Sequence, residues 1–147
     1  MARKKGKSRP RVFVLDCSIT LAWFFEDEAD GYAEAVEDSL ASASAVVPSL
    51  WSLEVANGLL VGERRRRTTE AKVTQFLALL RSLPITADDE TAARAWSETL
   101  PLARAHHLSA YDAAYLELAV RRGLPLAALD EKLAAAAEAV GVDKYEP

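Results

Sequence analysis

Short apolar runs punctuate this chain, and each leads into a stretch long enough for a helix. Val12 to Leu15 reads Val-Phe-Val-Leu, with no polar residue alternating, as in a strand buried on both faces. Ala45 to Val47 is a second run, stopped by Pro48. Pro84 to Thr86 is a third, Pro125 to Leu129 a fourth, and Val142 begins a short last one. Helical segments fill the intervals: one after Ser18, then about 30–42, 50–65 and 69–82, one from Asp88 or Asp89 to about 105, one from Ser109 to Gly123, and an Ala-rich one over about 130–140. Ser18, Ser49 and Ser109 are suited to cap helices, and Gly123 and Gly141 to end them. Strands this short, separated by helices, pair in parallel through crossovers. The expected fold class is therefore α/β, with a central, mostly parallel sheet covered on both faces.

Within that pattern, four acids stand in apolar surroundings: Asp16 in VFVLDCS, Glu54 in SLWSLEVANGLL, Asp112 in LSAYDAAYLELA and Asp130 in LPLAALDEKL. None has a cation three or four residues away. An unpaired carboxylate taken out of water costs several kcal/mol, and four of them ask for a shared partner. Carboxylates without Cys or His select hard divalent ions, so Mg2+ or Mn2+ is the expected cofactor. Ligands of open parallel sheets bind beyond the C-terminal strand ends. Asp16 and Asp130 follow strands at that edge, and Glu54 lies in the first turn of the helix after the second strand. Asp112 is consistent with the same rim but not forced onto it.

Each acid also has an ordinary structural role open to it. Asp16 and Asp130 are suited to cap helices. Ser109 to Asp112 resembles a capping box, and an acid in a first turn suits the helix dipole. Helix geometry sets Asp112 in line with Leu116 and Ala119. The Glu117–Arg121 pair, spaced i,i+4, is expected on the solvated face. Glu54 has Trp51, Leu50, Asn57 and Gly58 as neighbours along its helix, and only Asn57 offers it a hydrogen bond.

The chain has 147 residues, 50% hydrophobic and 27% charged, which suits one domain with its own core. No apolar run approaches the ~18–20 residues of a membrane span. Cys17 is the sole cysteine, so no internal disulfide is possible, and a cytoplasmic protein is expected. Residues 1–11 hold six basic groups and no acid, which leaves 12 Lys and Arg against 22 Asp and Glu, a formal charge of −10, on residues 12–147. The basic segment reads as a flexible tail or a phosphate contact. Arg64 to Arg67 read either as a solvated helix end or as a phosphate clamp. Trp23, Phe24 and Phe25 are expected in the core or a subunit contact, and Cys17 is expected to be buried.

With metal bound, an acidic pocket of this kind suits phosphodiester hydrolysis. There is no P-loop, no dinucleotide-binding glycine motif and no Ser-His-Asp spacing. The four segments resemble the PIN-domain family, specifically its VapC-type ribonuclease toxins. VLDCSITLAWFFEDE is similar to the first motif, with Asp16 and Ser18. The segments around Glu54, Asp112 and Asp130 are similar to the second, third and fourth, in the family's order. Ala128 departs from the Thr or Ser that many relatives carry two residues before the last acid. The resemblance implies a three-layer α/β/α fold over 12–147, a Mg2+- or Mn2+-dependent endoribonuclease, an RNA substrate, a homodimer, and inhibition by a cognate antitoxin. The alternative is a catalytically silent module of the same fold that binds RNA or a partner protein. A phosphoacceptor receiver and an Asp-x-Asp phosphatase fit less well, because Cys17 and Ser18 follow Asp16 and Lys132 falls within a helix.

Overall fold

The structure, a computed structural model, describes residues 11–147. Of the expected basic tail at 1–11, residues 1–10 lie outside them, and Arg11 opens the first strand. Among the described residues there are four strands: β1 (Arg11–Leu15), β2 (Ala43–Val47), β3 (Ile85–Ala87) and β4 (Leu126–Ala127). The helices are α1 (Cys17–Ala22), α2 (Gly31–Ser39), α3 (Trp51–Arg64), α4 (Glu70–Ser82), α5 (Thr91–Arg94), α6 (Leu100–His106), α7 (Ala110–Arg122) and α8 (Glu131–Ala139). The strands form one sheet in the order β3-β2-β1-β4, and every pairing is parallel, as the crossover argument requires. The expected last strand is reduced to a single parallel bridge between Leu126 and Lys144.

Alternation along β1 divides the core. Val14 faces one cluster, with Tyr115, Leu116 and Leu133. Phe13 and Leu15 face the other, with Val36, Leu40 and Tyr145. This follows from the two-residue period of a strand, and it makes the fold three-layered. The Tyr145 ring stacks on Phe13 at 3.8 Å between centroids, which docks the C-terminal segment on the second face.

α7 is the central helix. Its residues Ala113 to Ala119 are buried without interruption, so it has no solvated face over two turns. The expectation that Glu117 and Arg121 mark a solvated side is therefore overturned. Glu117 is buried, and Arg121 Nε donates to its Oε2 at 2.9 Å. Arg121 also bonds Asp88 at 2.7 Å and Glu90 at 3.2 Å. One guanidinium thus ties α7 to the segment after β3. Its planar fork, with five donors, suits three carboxylates.

Local chemistry shifts other boundaries. The single helix expected between Asp88 and residue 105 is interrupted by a π turn at Ala95–Thr99. Pro101 lacks the N–H that would bond the Ser97 carbonyl, which accounts for a wider turn just upstream. Ser49 does not cap α3. Its N–H instead donates to Thr91 Oγ1 at 2.9 Å, and Leu50 occupies the cap position without a side-chain bond. Trp23 and Phe24 pack against the core, and Phe25 and Cys17 are buried in it, as expected.

α3 lies close to α1. A Cβ placed on Gly58 would meet Leu21 Cδ1 at 2.7 Å, and one on Gly62 would meet Phe25 Cζ at 2.6 Å. Glu54, Gly58 and Gly62 are spaced i, i+4, i+8, so they share one stripe of the helix. The glycines bring that stripe against the segment that follows β1.

Candidate metal centre

In this sheet the chain walks outward from β1 to β3, then returns to the far side of β1 as β4. The reversal lies between β1 and β4, where doubly wound sheets open a crevice at their C-terminal ends. Asp16 follows β1 and Asp130 follows β4. Glu54 lies in the first turn of α3, and Asp112 in the first turn of α7.

Asp16 is 5% exposed. Its N–H donates to the Ala127 carbonyl at 3.0 Å, which extends the β1–β4 ladder by one bond. Asp16 itself caps α1, and Ser18, expected as the cap, lies inside the helix. The Ser18 N–H donates to Asp16 Oδ2 at 3.2 Å, and the Ser18 hydroxyl donates to the same oxygen. Ser18 Oγ also accepts the Leu129 N–H at 3.1 Å. A hydroxyl on the first motif thus braces the loop that carries Asp130, where Ala128 offers none. Asp130 caps α8, its Oδ1 accepting the Lys132 and Leu133 N–H groups at 2.8 and 3.1 Å. The Tyr115 hydroxyl donates to Glu54 Oε1 at 2.5 Å, a bond between α7 and α3. Asn57, considered for that role, is exposed, and among the described residues it makes no hydrogen bond to Glu54.

Three of the four acids are therefore held through one oxygen. Asp16 uses Oδ2, Glu54 Oε1 and Asp130 Oδ1, and among the described residues no protein donor reaches the second oxygen. Asp112 donates its own N–H to the Ser109 hydroxyl at 3.0 Å, which completes the cap of α7. Neither Asp112 nor the other three carboxylates form a salt bridge with a described Lys or Arg.

The acids sense one another. Burial pushes the Asp16 carboxyl up to about 6, the Ser18 bonds oppose this, and the Asp112 and Glu54 charges add to the rise. Burial also raises Glu54, against the Tyr115 bond and with the Asp112 charge. Asp112 is raised by burial and by the Asp130 charge, and the Ser109 hydroxyl opposes it. Burial and the neighbouring Glu54 raise the Tyr115 phenol, so it remains a donor at neutral pH. Carboxylates that destabilise one another, with no cation salt-bridged to them among the described residues, form a donor set suited to a hard divalent ion. An ion brought among them would remove the repulsion. On that chemistry the residues fit a magnesium or manganese ion.

The tightest acidic group lies elsewhere. Among the described residues, the only three acids whose ligand atoms all fall within 4.8 Å of one another are Asp88, Asp89 and Glu90. Arg121 already bonds two of them, and its hydrogen bonds, with its charge, hold Asp88 below the usual carboxylate range. No three of the four motif acids approach this closely, and repulsion between like charges opposes it.

Sequence reading missed Tyr115 and the Arg121 hub. A signal for the first was present: a phenol inside an apolar helical run needs a partner for its hydroxyl. The Arg64–Arg67 run divides. Arg67 pairs with Asp27 and Glu28 and lies over the Phe25 ring, 4.1 Å from its centroid, while Arg64, Arg65 and Arg66 are exposed.

No curated protein matches the sequence. Among solved structures, the fold is similar to PAE2754 from Pyrobaculum aerophilum, with a TM-score of 0.62 and 23% identity, over 86% of this chain and 79% of that one. The family model described as "PIN domain" matches residues 13–139, from β1 through α8. PIN domains are typically metal-dependent nucleases. From that match, together with the parallel sheet and flanking helices, the chain belongs to the PIN domain family.

Proposed function

We propose that this protein is a Mg2+- or Mn2+-dependent RNA endonuclease, the toxin of a VapC-type toxin–antitoxin pair, with Asp16, Glu54, Asp112 and Asp130 as its metal-holding acids. The observation that carries the reading is that Asp16, buried, and Glu54 and Asp112, half-buried, are each raised by burial and further by a neighbouring acid, while no described Lys or Arg is salt-bridged to any of the four. Elsewhere in the fold, the buried acids Asp88 and Glu117 are paired. A divalent ion held by these acids would supply Lewis-acid chemistry toward a phosphodiester.

The chain's own groups set the stage for that chemistry. Asp16 is locked by α1 and the β1–β4 ladder, and Asp130 by the start of α8. Glu54 and Asp112 approach from α3 and α7. The exposed Arg64, Arg65 and Arg66 at the end of α3 supply cations that an RNA backbone can use. Large apolar residues beside the acids support a protein partner. Leu53, next to Glu54, is 76% exposed, and Tyr111, next to Asp112, is 66% exposed. An antitoxin segment over the site and a second copy of the chain are the partners in this reading, and the cytoplasm is its setting.

The test is cleavage of a labelled RNA by the purified protein in Mn2+, with and without Asp112→Asn. Wild-type cleavage that stops with chelator and falls at least about a hundredfold in the variant supports the reading. Equal cleavage by folded variant and wild type would remove Asp112 from the site. RNA binding without cleavage in either would favour the silent module.

A further inference from the structure

We propose that Tyr115 is the positioning residue of this centre: its hydroxyl holds Glu54 Oε1 and leaves Oε2 to face a divalent cation. This rests on the four-carboxylate reading above. The need for such a residue follows from how the acids are anchored. Asp16 and Asp130 are cap residues, so N–H groups of their own helices fix them. Glu54 lies inside α3, beyond the cap, and among the described residues its side chain accepts no N–H of its own helix. Half-buried and repelled by Asp112, it would turn outward unless a donor from another element held it. Tyr115 is that donor.

The geometry is rigid on the tyrosine's side. Tyr115 is fully buried within the continuous core of α7, so its ring has no freedom to follow Glu54. It also lies three residues after Asp112, on the same face of the same helix. One helix therefore delivers one acid directly and orients a second from α3. The bond spans 61 residues of sequence and is the sole side-chain bond made by Glu54 among the described residues.

The experiment is Mn2+ titration, by calorimetry and by the electron paramagnetic resonance of free Mn2+, of the wild type, Tyr115→Phe, Glu54→Gln and the double variant. Tyr115→Phe is expected to weaken Mn2+ binding about tenfold. Glu54→Gln should weaken it more, and the double variant no further than Glu54→Gln alone. Wild-type affinity in Glu54→Gln would overturn the four-carboxylate reading and this proposal with it. Weakening in Glu54→Gln but not in Tyr115→Phe overturns the role of Tyr115 alone. An equal loss on adding Tyr115→Phe to Glu54→Gln overturns it too, because the tyrosine would then act only through packing. A check that does not depend on the variant folding uses wild-type protein labelled at tyrosine Cζ, assigned through Tyr32→Phe, Tyr111→Phe and Tyr145→Phe. Mg2+ should shift the Tyr115 resonance saturably, and no shift there overturns the proposal.

Discussion

The Ser18 hydroxyl accepts the Leu129 N–H at 3.1 Å while donating to Asp16, so one side chain joins the ends of β1 and β4. Ser18 and Leu129 are 111 apart in the chain. Ser18→Ala leaves a buried carboxylate short of a donor and a backbone N–H short of an acceptor. A loss of about 1–3 kcal/mol is expected in urea unfolding of the metal-free protein. Ser18→Thr keeps the hydroxyl and should lose less. Equal stability of Ser18→Ala and wild type would show that water replaces both bonds.

Arg121 carries a larger share of stability. Its removal strands Asp88 and Glu117, both buried, without their cation. Arg121→Ala is expected to cost about 3–5 kcal/mol, because unpaired buried charge is what makes such truncations expensive. Adding Asp88→Asn should recover part of that loss. A double variant less stable than the single one would contradict the pairing.

The two glycines of α3 should respond differently to alanine. At Gly62 a new Cβ meets the Phe25 ring, with atoms at 2.6 and 2.8 Å, in a closely packed core. At Gly58 it meets the end of Leu21, a side chain that can change rotamer. Gly62→Ala is expected to destabilise by about 1–3 kcal/mol through overpacking. Gly58→Ala should stay near neutral, since the helix-propensity gain of about 1 kcal/mol offsets its clash. Chemical denaturation of the two variants side by side measures the difference.

The raised Asp16 carboxyl predicts an unusual dependence on pH. Its value is about 6 in the folded chain against 3.8 for the free group, so between those values the folded state holds the extra proton. Stability therefore falls as pH rises through that window, by up to about 3 kcal/mol from this group. Glu54 and Asp112 are shifted the same way. Asp88 is shifted down, so its contribution is lost only at more acid pH. The metal-free protein should unfold at higher urea at pH 5 than at pH 7.5. Asp16→Asn should flatten the profile. A wild-type profile that rises from pH 5 to 7.5 would contradict the assignment.

The sequence by itself determined the α/β class and the parallel pairing. Short runs such as Val12 to Leu15 leave a strand only one way to pair, through a helical crossover. It also marked Asp16, Glu54, Asp112 and Asp130 as acids without local cations, because charge within one helical turn is legible from spacing. Tertiary structure decided what lay beyond that reach. The i,i+4 rule paired Glu117 with Arg121 correctly but set both in solvent, since it cannot see Asp88 arriving from the end of β3. It offered Asn57 to Glu54, when the donor is Tyr115 on another helix. It offered both Ser18 and Asp16 as the cap of α1; Asp16 holds it, and Ser18 reaches across to Leu129. In each case the deciding contact joins residues distant in the chain. Periodicity reports which face a residue occupies, but only the packed sheet and its central helix decide what that face meets.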